Sequence, residues 1–312
     1  MELFRTSARN VPLSRASVIS IGNFDGLHLG HQALLYMLRE HAFALSARTT
    51  VITFEPHPQE YFRNTKASTR ITNFREKTRL FQDAGIDRLI CLRFDSRLAK
   101  TSATEFVYDC LVRRLGVRDL VVGEDFRFGK DRKGSVELLR QLGLCHNFEV
   151  TGMPAVQISG NRVSSSQIRQ HLKSGELEEA NKLLGRKFSF SGKVAYGDQR
   201  GRTWGFPTAN LYPSHANFPL TGVFVVAVKG VSADYIFGIA NLGRRPTVGG
   251  NRFLIEVHLF DFDQNIYGKR ITIEFCHWVR SEQRFDSFDQ LREQIQRDID
   301  YTRDWVSGHL AK

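Results

Sequence analysis

The chain is 312 residues long with 41% hydrophobic and 25% charged residues, enough for one large or two ordinary domains with buried cores. No stretch approaches about 18 consecutive apolar residues, which argues against a transmembrane helix. No C-x-x-C pair joins Cys91, Cys110, Cys145 and Cys276, which argues against a thiolate zinc site or a disulfide framework. The formal net charge of +11 is scattered rather than gathered in a tail, so it fits a nucleic acid or a small anionic ligand such as a nucleoside triphosphate, and does not choose between them. Met1–Arg5 lacks the continuous apolar stretch of a secretory signal, so the cytosol is the expected location.

In chain order, Ser17–Gly22 reads as a short buried strand. Ala33, Leu34, Met37, Leu38, Ala42 and Leu45 then recur at helical spacing within a predicted helix over Gly30–Ala47. The pattern continues with a strand at Thr50–Phe54, a helix near Phe74–Ala84, a strand at Leu89–Leu92, a helix near Thr104–Leu115, a strand at Leu120–Gly123 and a helix near Gly134–Leu142. Short apolar strands alternating with helices predict a doubly wound parallel sheet, whose ligands bind beyond the carboxyl ends of the strands. A short helix over Glu176–Leu184 precedes a change of pattern near residues 184–187. Phe188–Ala195, Val223–Val228, Tyr235–Ile239, Phe253–Phe260 and Arg270–Phe275 read as strands separated by Gly and Pro turns, which predicts a small antiparallel β-barrel. A last helix opens on a Ser287-Phe288-Asp289-Gln290 capping box and carries Leu291, Ile295, Ile299, Thr302 and Val306 on one face. The expected fold is therefore α/β, with a Rossmann-like domain over residues 1–185 and a barrel with a terminal helix over residues 186–312.

Chemistry-bearing residues cluster after these strands. Gly22-Asn23-Phe24-Asp25-Gly26-Leu27-His28-Leu29-Gly30-His31 joins the first strand to the first helix. A helix N-terminus offers free N–H groups and a positive dipole to phosphate, glycines allow close backbone approach, and imidazoles can donate to a phosphorus centre as charge builds up. Two surface histidines in a loop is the bland alternative for a lone H-x-G-H. Phe54-Glu55-Pro56-His57-Pro58 follows the second strand, and Gly123-Glu124-Asp125-Phe126-Arg127-Phe128-Gly129 follows the fourth. This last block is not a Walker A loop, because its spacing is wrong and Asp131 stands where Ser or Thr is required. Ser164-Ser165-Ser166-Gln167-Ile168-Arg169 fits a simple capping box through Ser164 and Gln167, but capping does not explain Arg169, whose planar guanidinium suits phosphate oxygens.

In the second half, Gly197-Asp198-Gln199-Arg200-Gly201-Arg202-Thr203-Trp204-Gly205-Phe206-Pro207-Thr208-Ala209-Asn210 combines glycines and arginines suited to a loop over phosphates with hard oxygens at Thr208 and Asn210 that suit magnesium. A turn-rich hairpin is the bland alternative. Asn241–Thr247, Glu256–Asp261, Arg280-Ser281-Glu282 and Phe285–Phe288 follow.

Taken together, these blocks resemble the bacterial bifunctional riboflavin kinase/FAD synthetase family, and the resemblance runs from about residue 17 to the last helix. It implies ATP-dependent phosphorylation of riboflavin to FMN, then adenylylation of FMN to FAD with release of pyrophosphate, with Mg2+ as the metal. It implies catalytic roles for His28, His31 and Arg169 in adenylyl transfer, where Gly22, Asn23, Phe24, Asp25, Gly26, Ser164, Ser165 and Ser166 bind ATP. Ser166 stands where the family has Thr, which keeps the hydroxyl. Pro56, His57, Pro58, Asp125, Phe126 and Phe128 bind flavin there. For the kinase it implies Glu256 as base, Gly197, Arg200, Gly201, Arg202, Phe206 and Pro207 around ATP, Thr208 and Asn210 on the metal, and Arg280, Glu282 and Phe285 on flavin. Read from the strand pattern alone, Glu256 is simply an outward-facing residue alternating with Val257.

The expected partners are flavins and ATP, with no nucleic acid or membrane, in a monomer or weak oligomer. One rival is another H-x-G-H enzyme, such as a cytidylyltransferase, fused to a sugar- or lipid-binding barrel; the Phe206-Pro207-Thr208-Ala209-Asn210 block argues against it. A second rival is a basic nucleic-acid-binding protein, which would show tight, salt-dependent affinity for oligonucleotides.

Overall fold

The computed structural model describes residues 1–14, 16–62, 69–196, 206–213, 218–247 and 250–310. By contacts the chain divides into two compact units, Met1–Ser68 with Thr72–Ser165, and Thr69–Ile71 with Ser166–Lys312.

The first unit holds a parallel sheet of six strands: β1 (Glu2–Thr6), β2 (Ser17–Ile21), β3 (Arg48–Glu55), β4 (Arg88–Arg93), β5 (Val117–Gly123) and β6 (Glu149–Met153), in the order β1-β4-β3-β2-β5-β6. β2 is buried along its whole length, as its apolar run requires in a sheet covered on both faces. From β2 the chain winds outward through β3 and β4, then returns to place β5 on the other flank. The strand order thus reverses between β2 and β5, where doubly wound sheets open a crevice at their carboxyl ends. Helices α1 (Leu29–Ala44), α2 (Pro58–Phe62), α3 (Phe74–Asp83), α4 (Ser96–Lys100), α5 (Ala103–Phe106) and α6 (Val136–His146) fill the connections.

The helix expected over Thr104–Leu115 is α5 followed by a wider π turn at Val107–Val112, with Arg113 N donating to Tyr108 O at 2.9 Å. Ring closure over five residues is characteristic of such π segments. The edge strands β1 and β6 carry no apolar run, because an edge strand with one exposed side needs none.

Helix α7 (Ser165–Lys173) begins at the last residue of the first unit, and α8 (Leu177–Leu184) belongs to the second. The change from alternating to β-only sequence falls at residues 184–187, whereas the contact division falls earlier. The reason is that α8 packs against the barrel strand β14, and Gly175 lies beside Trp278.

The barrel comprises β9 (Ser189–Lys193), β10 (Ala209–Leu211), β11 (Gly222–Lys229), β12 (Ile236–Thr247), β13 (Gly250–Leu259) and β14 (Arg270–Arg280), antiparallel in the order β10-β13-β12-β11-β14-β9. The chain beyond β9 nearly closes it, with Ala195 N donating to Asn210 O at 2.8 Å. Phe188, Phe190, Phe218, Phe224, Phe253 and Phe275 pack ring against ring to fill the interior. On the outer face Val223 and Ile239 pack with Ile295 and Ile299 of the C-terminal helix, Phe288–Leu310. β11 is therefore covered on both faces, and only its last residue is exposed.

The predicted face of the C-terminal helix is the packed one: Ile299 and Thr302 are buried and Leu291, Ile295 and Val306 half-buried. Of the predicted capping box one arm forms as expected, Ser287 Oγ accepting from Gln290 N at 3.2 Å. The Gln290 carboxamide accepts from Asp286 N instead of Ser287 N.

Candidate active sites

In the first unit the loop after β2 sits at the point where strand order reverses. His28 is the N-cap of α1, and its Nδ1 accepts from His31 N at 3.3 Å. An acceptor at Nδ1 requires the neutral tautomer with its proton on Nε2. The H-x-G-H spacing thus has a local physical cause: it places the histidines at N-cap and N3, the two positions that face each other across the first turn. Their rings stack at 3.6 Å and 17°. A Cβ at Gly30 would lie 3.2 Å from the His28 ring, so glycine makes room for the stack.

Phe24, Asp25 and Gly26 are buried, whereas Asn23 is exposed. Phe24 is buried, with its ring 5.1 Å from His31, and Gly22 leaves space for that ring. The Asp25 carboxylate accepts from Thr72 N at 3.1 Å, and Lys77 Nζ donates to Asn23 O at 2.8 Å. Ser165 Oγ donates to Asp25 O at 2.8 Å, which ties the first residue of α7 to this loop. Farther along α7, Arg169 Nε donates to Thr69 O at 2.6 Å. Sequence reasoning missed Thr72 and Lys77, since nothing local marks partners some fifty residues from the loop.

The other two blocks follow the neighbouring strands. His57 is buried after β3, and its Nδ1 accepts from Gln59 N at 3.1 Å in the first turn of α2. Pro56 precedes that helix and Pro58 opens it. After β5, Phe126 and Phe128 stack at 5.4 Å and 9°. Asp125 forms an exposed ion pair with Arg162.

In the second unit three of the predicted residues, Asn210, Glu256 and Arg280, fall on one row across the outer face of the barrel. Asn210 of β10 pairs with Glu256 of β13, Glu256 with Asn241 of β12, Asn241 with Val223 of β11, and Val223 with Arg280 of β14. Directly opposed residues share a face, so Asn210, Glu256, Asn241 and Val223 line up side by side, while the ladder to Arg280 shifts register at Val223–Phe224. Thr208 is two residues from Asn210 and half-buried, and the carbonyl of Pro207 lies 2.8 Å from His258 Nδ1. Phe206 lies edge-on to the same imidazole at 6.0 Å.

Asn210 is buried, and its Oδ1 has no hydrogen-bond partner among the described residues. Arg245 Nη2 donates to Glu256 Oε2 at 3.1 Å, and its Nη1 lies 3.6 Å from Glu282 Oε1. One guanidinium thereby links the predicted base to a predicted flavin residue. Gly243 lets the Glu282 carboxylate approach β12, since a Cβ there would lie 1.8 Å from Glu282 Oε1 and displace that side chain. Arg280 is bound to Asp298 of the C-terminal helix by three contacts of 2.7–2.9 Å, with Phe285 5.9 Å from its guanidinium. Gly197, Arg200, Gly201 and Arg202 lie outside the described residues.

A family model for FAD synthetase matches residues 11–167, and one for riboflavin kinase matches residues 184–306. The bifunctional riboflavin kinase/FMN adenylyltransferase of Escherichia coli (strain K12) is 44% identical over 90% of both chains. The protein of the same name from Haemophilus influenzae is 39% identical, over 96% of this chain and 97% of that one. The chain belongs to the bifunctional riboflavin kinase/FMN adenylyltransferase family. Within this family's division, the parallel sheet and its H-x-G-H loop fall in the FAD synthetase part, and the barrel with its Asn210–Glu256 row falls in the riboflavin kinase part. A solved structure described as the macrolide-efflux protein of Streptococcus pneumoniae has the same fold at TM-score 0.84 and 32% identity, covering 98% of this chain and 100% of that one. Among the described residues of this family member, no helix is long and apolar enough to cross a membrane.

Proposed function

We propose that the two activities of the family, phosphorylation of riboflavin to FMN and adenylylation of FMN to FAD, reside respectively on the outer row of the barrel and at the Gly22–His31 loop. The stacked His28–His31 pair at the N-terminus of α1 carries the second assignment. There a phosphate oxygen of FMN attacks the α-phosphorus of ATP, and the bond to pyrophosphate breaks. The Nε2–H that the His28 tautomer requires, together with the helix N-terminus, stabilises charge on the phosphate oxygens as it builds up. Ser164, Ser165, Ser166 and Arg169 serve the triphosphate, while His57, Asp125, Phe126 and Phe128 frame the flavin.

For the kinase, Glu256 takes the proton of the terminal ribityl hydroxyl as its oxygen attacks the γ-phosphorus of another ATP, and the bond from that phosphorus to the leaving ADP breaks. Thr208 and Asn210 hold Mg2+. The fit rests on Asn210 Oδ1, a buried hard oxygen with no donor among the described residues, which is costly to leave bare and suited to a hard cation. Bound there, Mg2+ neutralises charge on the phosphates. In an Asn210→Leu variant, the Mg2+ concentration that half-saturates FMN formation is expected to rise about 10–100-fold, a typical scale for disturbing a metal shell. An unchanged magnesium requirement would remove Asn210 from that shell.

Fragments test the division of labour. Residues 184–312 are expected to fold and make FMN but no FAD. Residues 166–312 are expected to be more stable, because they restore α8 on β14. A folded 166–312 fragment that binds riboflavin without phosphorylating it would show that the kinase needs the N-terminal half.

A further inference from the structure

The loop that carries the histidines has a backbone the sequence alone does not hold. Phe24 and Leu27 both have left-handed conformations, at φ 49° and 41°, and Gly26 between them has φ 84°. Such conformations are unfavourable for side-chain-bearing residues and persist only where the surroundings over-determine them. Here the surroundings come from the segment Thr72–Lys77, which leads into α3. The Thr72 hydroxyl accepts from Gly26 N at 3.1 Å and donates to Asp25 Oδ1 at 3.3 Å, while Thr72 N donates to the same carboxylate oxygen at 3.1 Å. One turn later, Lys77 Nζ donates to Asn23 O at 2.8 Å. Asp25, Thr72 and Lys77 are each at most 4% exposed, so water offers little substitute for these bonds. The anchor is itself rigid: Asn73 and Glu76 close a full capping box at the N-terminus of α3, with both bonds at 2.9 Å.

We propose that Thr72 and Lys77 are positioning residues for adenylyl transfer: they lock the strained Asn23–Leu27 turn so that His28 and His31 meet the reacting phosphate in register. On this account Asp25 acts as the near half of the clasp rather than as a contact to ATP. The inference rests on the assignment of adenylyl transfer to the Gly22–His31 loop. A group that acts through geometry in the transition state affects turnover more than substrate affinity.

The test uses the full-length protein with ATP and supplied FMN, and thermal unfolding of the same preparation, compared with the wild type, as a control for folding of the first unit. Thr72→Val keeps the shape and removes the hydroxyl. It is expected to lower kcat for FAD formation by about 10–100-fold, the cost of misplacing reacting groups by about an ångström, with KM for ATP changed by less than about threefold. Thr72→Ser restores the hydroxyl and is expected to recover most of the loss. Lys77→Met is expected to lower kcat in the same way, and it carries the test if Thr72→Val fails to fold. A wild-type kcat in Thr72→Val, or a Thr72→Ser variant as slow as Thr72→Val, overturns the clasp if His28→Ala assayed beside them has lost FAD formation. If His28→Ala itself keeps wild-type FAD formation, the assignment of the loop fails and the clasp with it.

Discussion

Replacing His28 by Ala is expected to slow conversion of FMN to FAD by about 10²–10⁴-fold, the usual cost of removing a hydrogen-bond donor aimed at developing charge. Two losses would be combined in that variant. The imidazole disappears from the proposed phosphate site, and the N-cap acceptor for His31 N disappears from α1. Loss of a cap is worth about 1 kcal/mol in helix stability, too little to account for the whole effect on rate. His28→Asn separates the two, because asparagine is a good N-cap without an imidazole. The chemical role predicts that His28→Asn is folded, phosphorylates riboflavin at the wild-type rate and remains slow by at least about 10²-fold in FAD synthesis. Steady-state rates of FAD formation from supplied FMN measure this. Recovery of FAD synthesis in His28→Asn would reduce His28 to a helix cap.

The second large effect is expected at Glu256. Glu256→Gln preserves size and the position on β13 but removes the proton acceptor, and FMN formation is expected to fall by about 10²–10⁴-fold. Binding of ATP and riboflavin is retained, because the Asn210–Glu256–Asn241 row stays paired through its backbones. Arg245 now touches Glu256 and Glu282 together, and with Gln at 256 its guanidinium keeps one carboxylate partner. FAD formation from supplied FMN is expected to be unaffected. Full kinase activity in Glu256→Gln would leave this carboxylate with a positioning role only.

The legible parts of this molecule are those written in contiguous residues. The apolar run Ser17–Ile21, the glycines and histidines that follow it, and the helical periodicity of α1 predict one strand, one turn and one helix, and these meet at the carboxyl end of the sheet. The C-terminal helix was legible for the same reason, since its apolar face repeats at helical spacing. Edge strands were not: β1 and β6 bury too little to need a pattern, and the three residues of β10 are too few to show one. The wider π turn at Val107–Val112 keeps an apolar pattern indistinguishable from α-helix.

Within the sites, residue types were legible and long-range partners were not. Thr72 and Lys77 reach the histidine loop across about fifty residues of chain, and Arg245 of β12 joins Glu256 of β13 to Glu282 beyond the end of β14. Such contacts exist only once the sheets are assembled. Likewise the backbone bridge from Ala195 to Asn210 joins β10 to the chain beyond β9 and is not written in the Phe-Pro-Thr-Ala-Asn block itself.

The central claim is that one chain carries two chemically independent sites, which a chromatographic time course tests most directly. Wild-type protein, His28→Asn and Glu256→Gln are each incubated with riboflavin, ATP and Mg2+, and FMN and FAD are resolved over time. The account predicts FMN followed by FAD from the wild type, FMN accumulating without FAD from His28→Asn, and neither product from Glu256→Gln until FMN is added, when FAD appears at the wild-type rate. Loss of FMN formation in His28→Asn, or failure of Glu256→Gln to convert added FMN, would contradict it.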